Sequence, residues 1–121
     1  MKIYIGHPSS IDFEEELYRP LRESSLLDEH EFVFPHDTDE FFDSRQFLRT
    51  KCDLFIAEVS QPSTGLGIEI GWAENFGVPV VAMKRKGAKS SSSLPKVCRE
   101  IIEYRQPEDL PGLILDLTEK Y

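Results

Sequence analysis

The stretch CDLFIAEVSQPSTGLGIEIGWAENFGVPVVAM, residues 52–83, decides the fold. It opens on a nearly continuous apolar run, DLFIAEV, of the kind expected at the centre of a parallel sheet with both faces covered. The polar loop SQPSTGLG follows, then the segment IEIGWAENFG, which reads as a helix that Gly77 closes as a C-cap. The run VPVVAMK then returns as another strand. Strand, helix and strand in so short a span require a crossover connection and parallel pairing.

Working outward, KIYIG is a short buried strand closed by Gly6 and Pro8. The segment SSIDFEEELYRPLRESSLLDEH carries Ile11, Leu17, Tyr18, Leu21 and Leu26 at roughly helical spacing, with Ser9 or Ser10 as N-cap. Pro20 predicts a bend or break inside it. EFVFPHD is a strand ended by Pro35, and TDEFFDSRQFLRTKC a helix with Phe42, Phe47 and Leu48 on one face, capped by Thr38 or Asp39. RKGAKSSSS reads as a loop. LPKVCREIIEY starts with Pro95 near N1 and runs as a helix or a helix-to-strand segment. PEDLPGLILDLTEKY finishes as a helix covering the sheet edge. Strands alternate with helices throughout. The expectation is one domain, residues 1–121, with a three-layer, flavodoxin-like (Rossmann-like) parallel sheet of four to five strands.

Composition narrows the function classes. Fourteen basic and 22 acidic residues give a net charge of -8, which argues against nucleic acid or an anionic membrane as partner. No apolar run reaches the ~20 residues of a membrane span, and MKIYIGHP meets Gly and Pro too early for a signal peptide. Cys52 and Cys98 lack a CxxC spacing and sit in apolar-periodic segments as small buried hydrophobes. His7, His30 and His36 match no metal-ligand spacing. A cytoplasmic protein with no metal and no cofactor is expected.

In this fold ligands bind beyond the carboxyl ends of the strands. The loop after the central strand is the most informative of those meeting there. Gly65 and Gly67 let backbone approach a ligand, while Ser63 and Thr64 add hydroxyls beside the free amides of the following helix, a place suited to an anion such as phosphate. The pattern is neither a P-loop nor GxGxxG. Glu69, placed in the first turn of that helix, is open to two readings. It is either an acid stabilising its own helix dipole, worth ~0.3–1 kcal/mol, or a carboxylate that attacks an anomeric carbon as oxocarbenium character develops there. Spacing alone favours the first.

IYIG, CDLFIAEVSQPSTGLGIEIGWA and VPVVAM resemble the nucleoside 2-deoxyribosyltransferase family, closest to its Rcl-like branch of 2'-deoxynucleoside 5'-monophosphate N-glycosidases. The resemblance is strong over residues 52–83 and collinear elsewhere. It implies that Glu69 is the nucleophile, forming a glycosyl-enzyme intermediate and releasing the base. It implies that Ser63 contacts a 5'-phosphate and that Tyr4 and Gly6 line the sugar pocket. Ser92 or Ser93 would reach a neighbouring subunit's site and bind phosphate there, which makes a homodimer. The partner is then a small nucleoside or nucleotide.

One position departs from the family. Where an aspartate stands in the second helix, the ungapped alignment puts Arg45. Either the helix is shifted, or Asp43 or Asp37 takes the role, or catalysis is altered and Arg45 binds an anionic group. The alternatives are therefore a nucleotide-binding module without turnover, or a transferase acting on unphosphorylated nucleosides. A flavin-binding protein is disfavoured by the sparse first loop. His7 either hydrogen-bonds a ligand or caps a neighbouring turn. Trp72, Phe76, Phe41 and Phe42 read as packing before base stacking. KRKGAK either steers phosphates or is solvated surface.

Overall fold

The computed structural model describes residues 1–37 and 42–121. Among the described residues there are five strands, β1 (Lys2–Gly6), β2 (Glu31–Val33), β3 (Leu54–Glu58), β4 (Val80–Arg85) and β5 (Glu100–Tyr104). They form one sheet in the order β2-β1-β3-β4-β5, every pair parallel. This is the flavodoxin-like order, and the direction of winding reverses between β1 and β3.

Alternation along the strands makes the two faces. Ile3, Ile5, Leu54, Ile56, Val81 and Met83 point to one side. There they meet Leu17, Tyr18 and Leu21 from the first helical segment, and Leu110, Ile114 and Leu117 from α5 (Leu110–Lys120). Tyr4, Phe55, Ala57, Val80 and Ala82 point to the other side. They are covered by α3 (Ser44–Thr50) and α4 (Thr64–Asn75). The last helix therefore covers a face, through residues at i, i+4 and i+7, and not the sheet edge that its terminal position suggested.

Pro20 does not break the first helix, whose backbone stays helical from Glu14 to Arg22. A π-helical turn, Glu14–Tyr18, runs into the single α-turn α1 (Arg19–Arg22), in which Pro20 is the second residue. The widened turn closes through the Arg19 amide to the Glu14 carbonyl, so the chain passes a residue that has no N–H to give. A separate turn, α2 (Leu26–Glu29), follows. Neither Ser9 nor Ser10 caps the segment: its N-cap is Phe13, without a side-chain bond. Ser10 instead donates to Gln61 Oε1 at 2.6 Å, joining the loops after β1 and β3.

The second predicted helix is α3, capped by Asp43, whose carboxylate accepts the Gln46 amide at 3.0 Å. The expected caps Thr38 and Asp39 lie outside the described residues. LPKVCREIIEY resolves into a 3-10 turn, Leu94–Lys96, followed by β5. Gly77 ends α4 at φ 78°, with Val78 N–H bonded to Ala73 O at 2.9 Å and Gly77 N–H to Glu74 O at 3.1 Å, a Schellman closure. Among the described residues no helix is long and apolar enough to cross a membrane.

Gly6 holds β1 against both β3 and α4. A Cβ there would stand 2.4 Å from Phe55 Cε2 and 2.9 Å from Leu66 Cδ1. Gly6→Ala should cost about 1–3 kcal/mol through overpacking, measured by urea unfolding. Trimming the clash with Phe55→Leu in the same chain should recover part of the loss; an additive double variant would contradict this account.

Candidate active site

The candidate site is organised by the first two turns of α4. Ser63 is its N-cap, in extended conformation, and the Ser63 Oγ accepts the Leu66 amide at 3.3 Å. The helix thus begins at Thr64, four residues before the glycine-based reading starts it. Glycine costs ~1 kcal/mol in a helix relative to alanine. Here a side-chain cap and the buried face of Leu66, Ile70 and Ala73 outweigh that cost. The consequence falls on Glu69, which is the sixth residue of α4 and lies in the second turn, not the first. The helix-end potential acts over the first turn, so the dipole reading of this acid loses its basis.

Glu69 instead meets Tyr4. The Tyr4 hydroxyl donates to Glu69 Oε2, joining the central strand β1 to α4 across 65 residues of sequence. Tyr4 is fully buried, its ring against Phe42 and Phe47, each at 6.1 Å between centroids, and Phe55 at 5.1 Å. Burial, and then the neighbouring Glu69 charge, push its pKa far above the usual phenol value, so the phenol keeps its proton and remains a donor. The half-buried carboxylate is held by one oxygen, and among the described residues the other has no hydrogen-bond partner. Tyr4→Phe should lower kcat about 10–100-fold, the worth of one hydrogen bond to a charged group, with little change in KM. An unchanged kcat in a steady-state assay would remove Tyr4 from the machinery.

A cleft of about 670 Å³ runs along the Gly67 and Gly71 edge of α4, two residues either side of Glu69 and so on the other flank of the helix. One wall is Pro62, Ser63, Thr64, Gly67 and Gly71; the other is Lys89, Ser90, Ser91 and Ser93. Val59, Leu66, Ile70, Leu94 and Val97 make an apolar floor. At Gly67 and Gly71 a Cβ would meet nothing within 4 Å, and the same holds at Gly65. The backbone along this edge of α4 is therefore bare toward the opening. The Ser63 hydroxyl proton, and the Thr64 and Gly65 amides that precede the helical ladder, suit an anion. Glu69 and Tyr4 are not among the cleft's lining residues; the two places share α4.

The other expected site residues divide. Gly6 lies beneath α4, in contact range of Leu66. Ser93 lines the cleft and caps the 3-10 turn, whereas Ser92 is exposed and absent from the lining. The serine run faces its own chain's α4. His7 is 6% exposed, with its Nδ1 on the Pro8 carbonyl at 2.8 Å and its Nε2 on the Tyr18 hydroxyl at 2.6 Å. Both ring nitrogens are thus engaged inside the protein, the capping alternative for this residue. Asp37 pairs with Arg22, which also binds Glu14 at 2.6 Å. Asp43 is occupied in capping α3. Arg45 is exposed on α3, its guanidinium 5.9 Å from the Phe76 ring, two turns along α4 from Glu69. Phe41 lies outside the described residues; Phe42 stacks on Tyr4. Tyr121 donates to Glu100 of its own β5 at 2.6 Å. Cys52 and Cys98 pack against the α3–α4 core, and burial pushes each thiol up to about 11.

Two features escaped the sequence reading. Lys89 lines the cleft, and its signal was diluted in the basic run KRKGAK. Glu58 is buried at the end of β3, a lone acid in an apolar strand.

No protein-family model matches the chain. Over 43 residues it is 49% identical to "Putative 2'-deoxynucleoside 5'-phosphate N-hydrolase 1" of Syntrophotalea carbinolica, a match spanning 36% of this chain and 30% of that relative. The chain thus matches less than a third of that relative's length. Its fold superposes on the structure of the Clostridium botulinum CMP N-glycosidase BcmB with a TM-score of 0.65 and 20% identity, covering 94% of this chain and 98% of the other. In fold over nearly its whole length, and in sequence over that shorter span, the protein resembles the nucleotide-hydrolase branch to which residues 52–83 pointed.

Proposed function

We propose that this protein hydrolyses the N-glycosidic bond of a (deoxy)nucleoside 5'-monophosphate, with Glu69 as nucleophile. The observation that carries the reading is the Tyr4–Glu69 hydrogen bond, which joins the middle of β1 to α4 beside the place where the strand order reverses. The names of the two similar proteins support the same class of bond and substrate.

In this reading the phosphate enters the cleft, against the Ser63 hydroxyl, the Thr64 and Gly65 amides, Ser93 and Lys89. The sugar then reaches over the N-terminal end of α4 to Glu69. The free carboxylate oxygen attacks C1', the C1'–N bond breaks, and its electron pair leaves with the base. Water then attacks C1' of the glycosyl ester, and the carboxylate departs. The net change adds one water and yields free base and sugar 5-phosphate. Tyr4 keeps its proton throughout and strengthens its bond to Oε2 as the carboxylate regains charge in the second step.

The test is incubation with a panel of nucleoside 5'-monophosphates and the matching nucleosides, with free base followed by chromatography. Nucleotides should release base faster than nucleosides. Absence of release from every member by folded protein would overturn the reading. Adding a second base to the mixture separates hydrolysis from transfer, because a transferase makes a new nucleotide. The homodimer implied by the resemblance belongs to the proposal, and sedimentation at assay concentration reads it.

A further inference from the structure

The two walls of the cleft are tied together from below by one buried carboxyl group. Glu58 is 3% exposed at the carboxyl end of β3. Its Oε1 accepts the Ser60 amide at 2.5 Å; its Oε2 accepts the Ser60 hydroxyl at 3.0 Å and the Tyr104 hydroxyl. Ser60 Oγ in turn accepts the Arg85 amide at 2.8 Å, and the Lys86 amide donates to the Tyr104 carbonyl at 2.8 Å. The Arg85 guanidinium lies 5.3 Å from the Tyr104 ring. One side chain thus links the ends of β3, β4 and β5. Just beyond those ends the chain builds both walls, Pro62–Thr64 after β3 and Lys89–Ser93 after β4.

Among the described residues the hydrogen-bond partners of Glu58 are hydroxyls and an amide. An apolar side chain of similar volume would fill the space but leave the Tyr104 hydroxyl and the Ser60 amide without this acceptor. Directional hydrogen bonds do something an apolar contact does not: they fix the angle and spacing of the loops they join.

We propose that Glu58 is a positioning residue, which sets the separation of the cleft's two walls through Ser60 and Tyr104 and so sets affinity for the 5'-phosphate. This rests on the reading that the phosphate occupies the cleft. The test is calorimetric binding of CMP and of cytidine to the wild type, Glu58→Leu and Tyr104→Phe, with thermal unfolding of each. Glu58→Leu keeps the volume and removes every hydrogen bond; Tyr104→Phe removes one and leaves the carboxyl group on Ser60. Each variant should weaken CMP about tenfold or more, the equivalent of a lost hydrogen bond, with cytidine affinity within twofold. A Leu117→Ala variant, which loosens the far face of the sheet, should lower Tm without changing the ratio of CMP to cytidine affinity. If Glu58→Leu does not fold, Tyr104→Phe decides the matter alone. A wild type that binds CMP no better than cytidine defeats the phosphate reading and this proposal with it. A wild type that discriminates, with variants that discriminate equally, defeats only the role of Glu58.

Discussion

Glu69→Ala should lower kcat about a thousandfold or more, on the order of 4 kcal/mol of barrier, while affinity for the nucleotide should stay within a few-fold. The expectation follows from the geometry. The carboxylate is held by Tyr4 and serves no cap or ion pair among the described residues. The proposed phosphate cleft does not include Glu69, so truncation should remove the proposed nucleophile and leave the anion's proposed partners in place. Glu69→Gln, which keeps an acceptor for the phenol, should be nearly as inactive and should fold as the wild type does. Stopped assays for free base, paired with calorimetric binding, read both quantities. Tight binding in the wild type with no turnover, unchanged by Glu69→Ala, would favour the binding module that Arg45 suggested. Comparable loss of binding and rate would mean that Glu69 holds the substrate and does not attack it.

Acid should destabilise the fold through His7. Burial first, and then the nearby His36, lower the pKa of His7 to about 4, against about 6.5 in the unfolded chain. Between these values the unfolded state binds a proton that the folded state refuses, so stability rises with pH across this window and falls on acidification. Below about pH 4 both states are protonated and the slope from this group ends. The full difference is on the order of 3 kcal/mol. The structural cause is that a protonated ring would put a second N–H on the side where Nε2 accepts from Tyr18. His7→Gln should lose some stability at pH 7 and show a flatter profile between pH 6.5 and 4.5 in urea titrations. An identical slope in wild type and variant would assign the acid sensitivity to other groups.

The architecture was legible in the chain because its signals are local. The run Leu54–Glu58 is apolar on both faces, as only a central parallel strand requires, and it is β3 of a five-stranded parallel sheet. Gly77 closes α4 with positive φ, a conformation that residues other than glycine adopt at a cost. Pro20 marks a real irregularity, the π-helical turn just before it, for the reason its missing N–H gives. Where local and tertiary preferences conflict, the reading failed. Two glycines, Gly65 and Gly67, argued for a loop over residues 64–67, yet the burial of Leu66 and Ile70 made that segment helix. The serine caps expected before the first helix went to Gln61 and to no cap at all.

The sequence by itself determined that this is a parallel α/β domain and marked Glu69 and Ser63 as the residues to watch, because periodicity and turn chemistry act over a few neighbours. Only the tertiary structure decided what Glu69 meets there. Its partner lies 65 residues away on β1, and no local pattern encodes a contact that two elements make only after they pack on the same sheet. The same holds for Glu58: a lone acid in an apolar strand signals an exception, but hydroxyls on Ser60 and Tyr104 give it a purpose, and folding alone brings them to it.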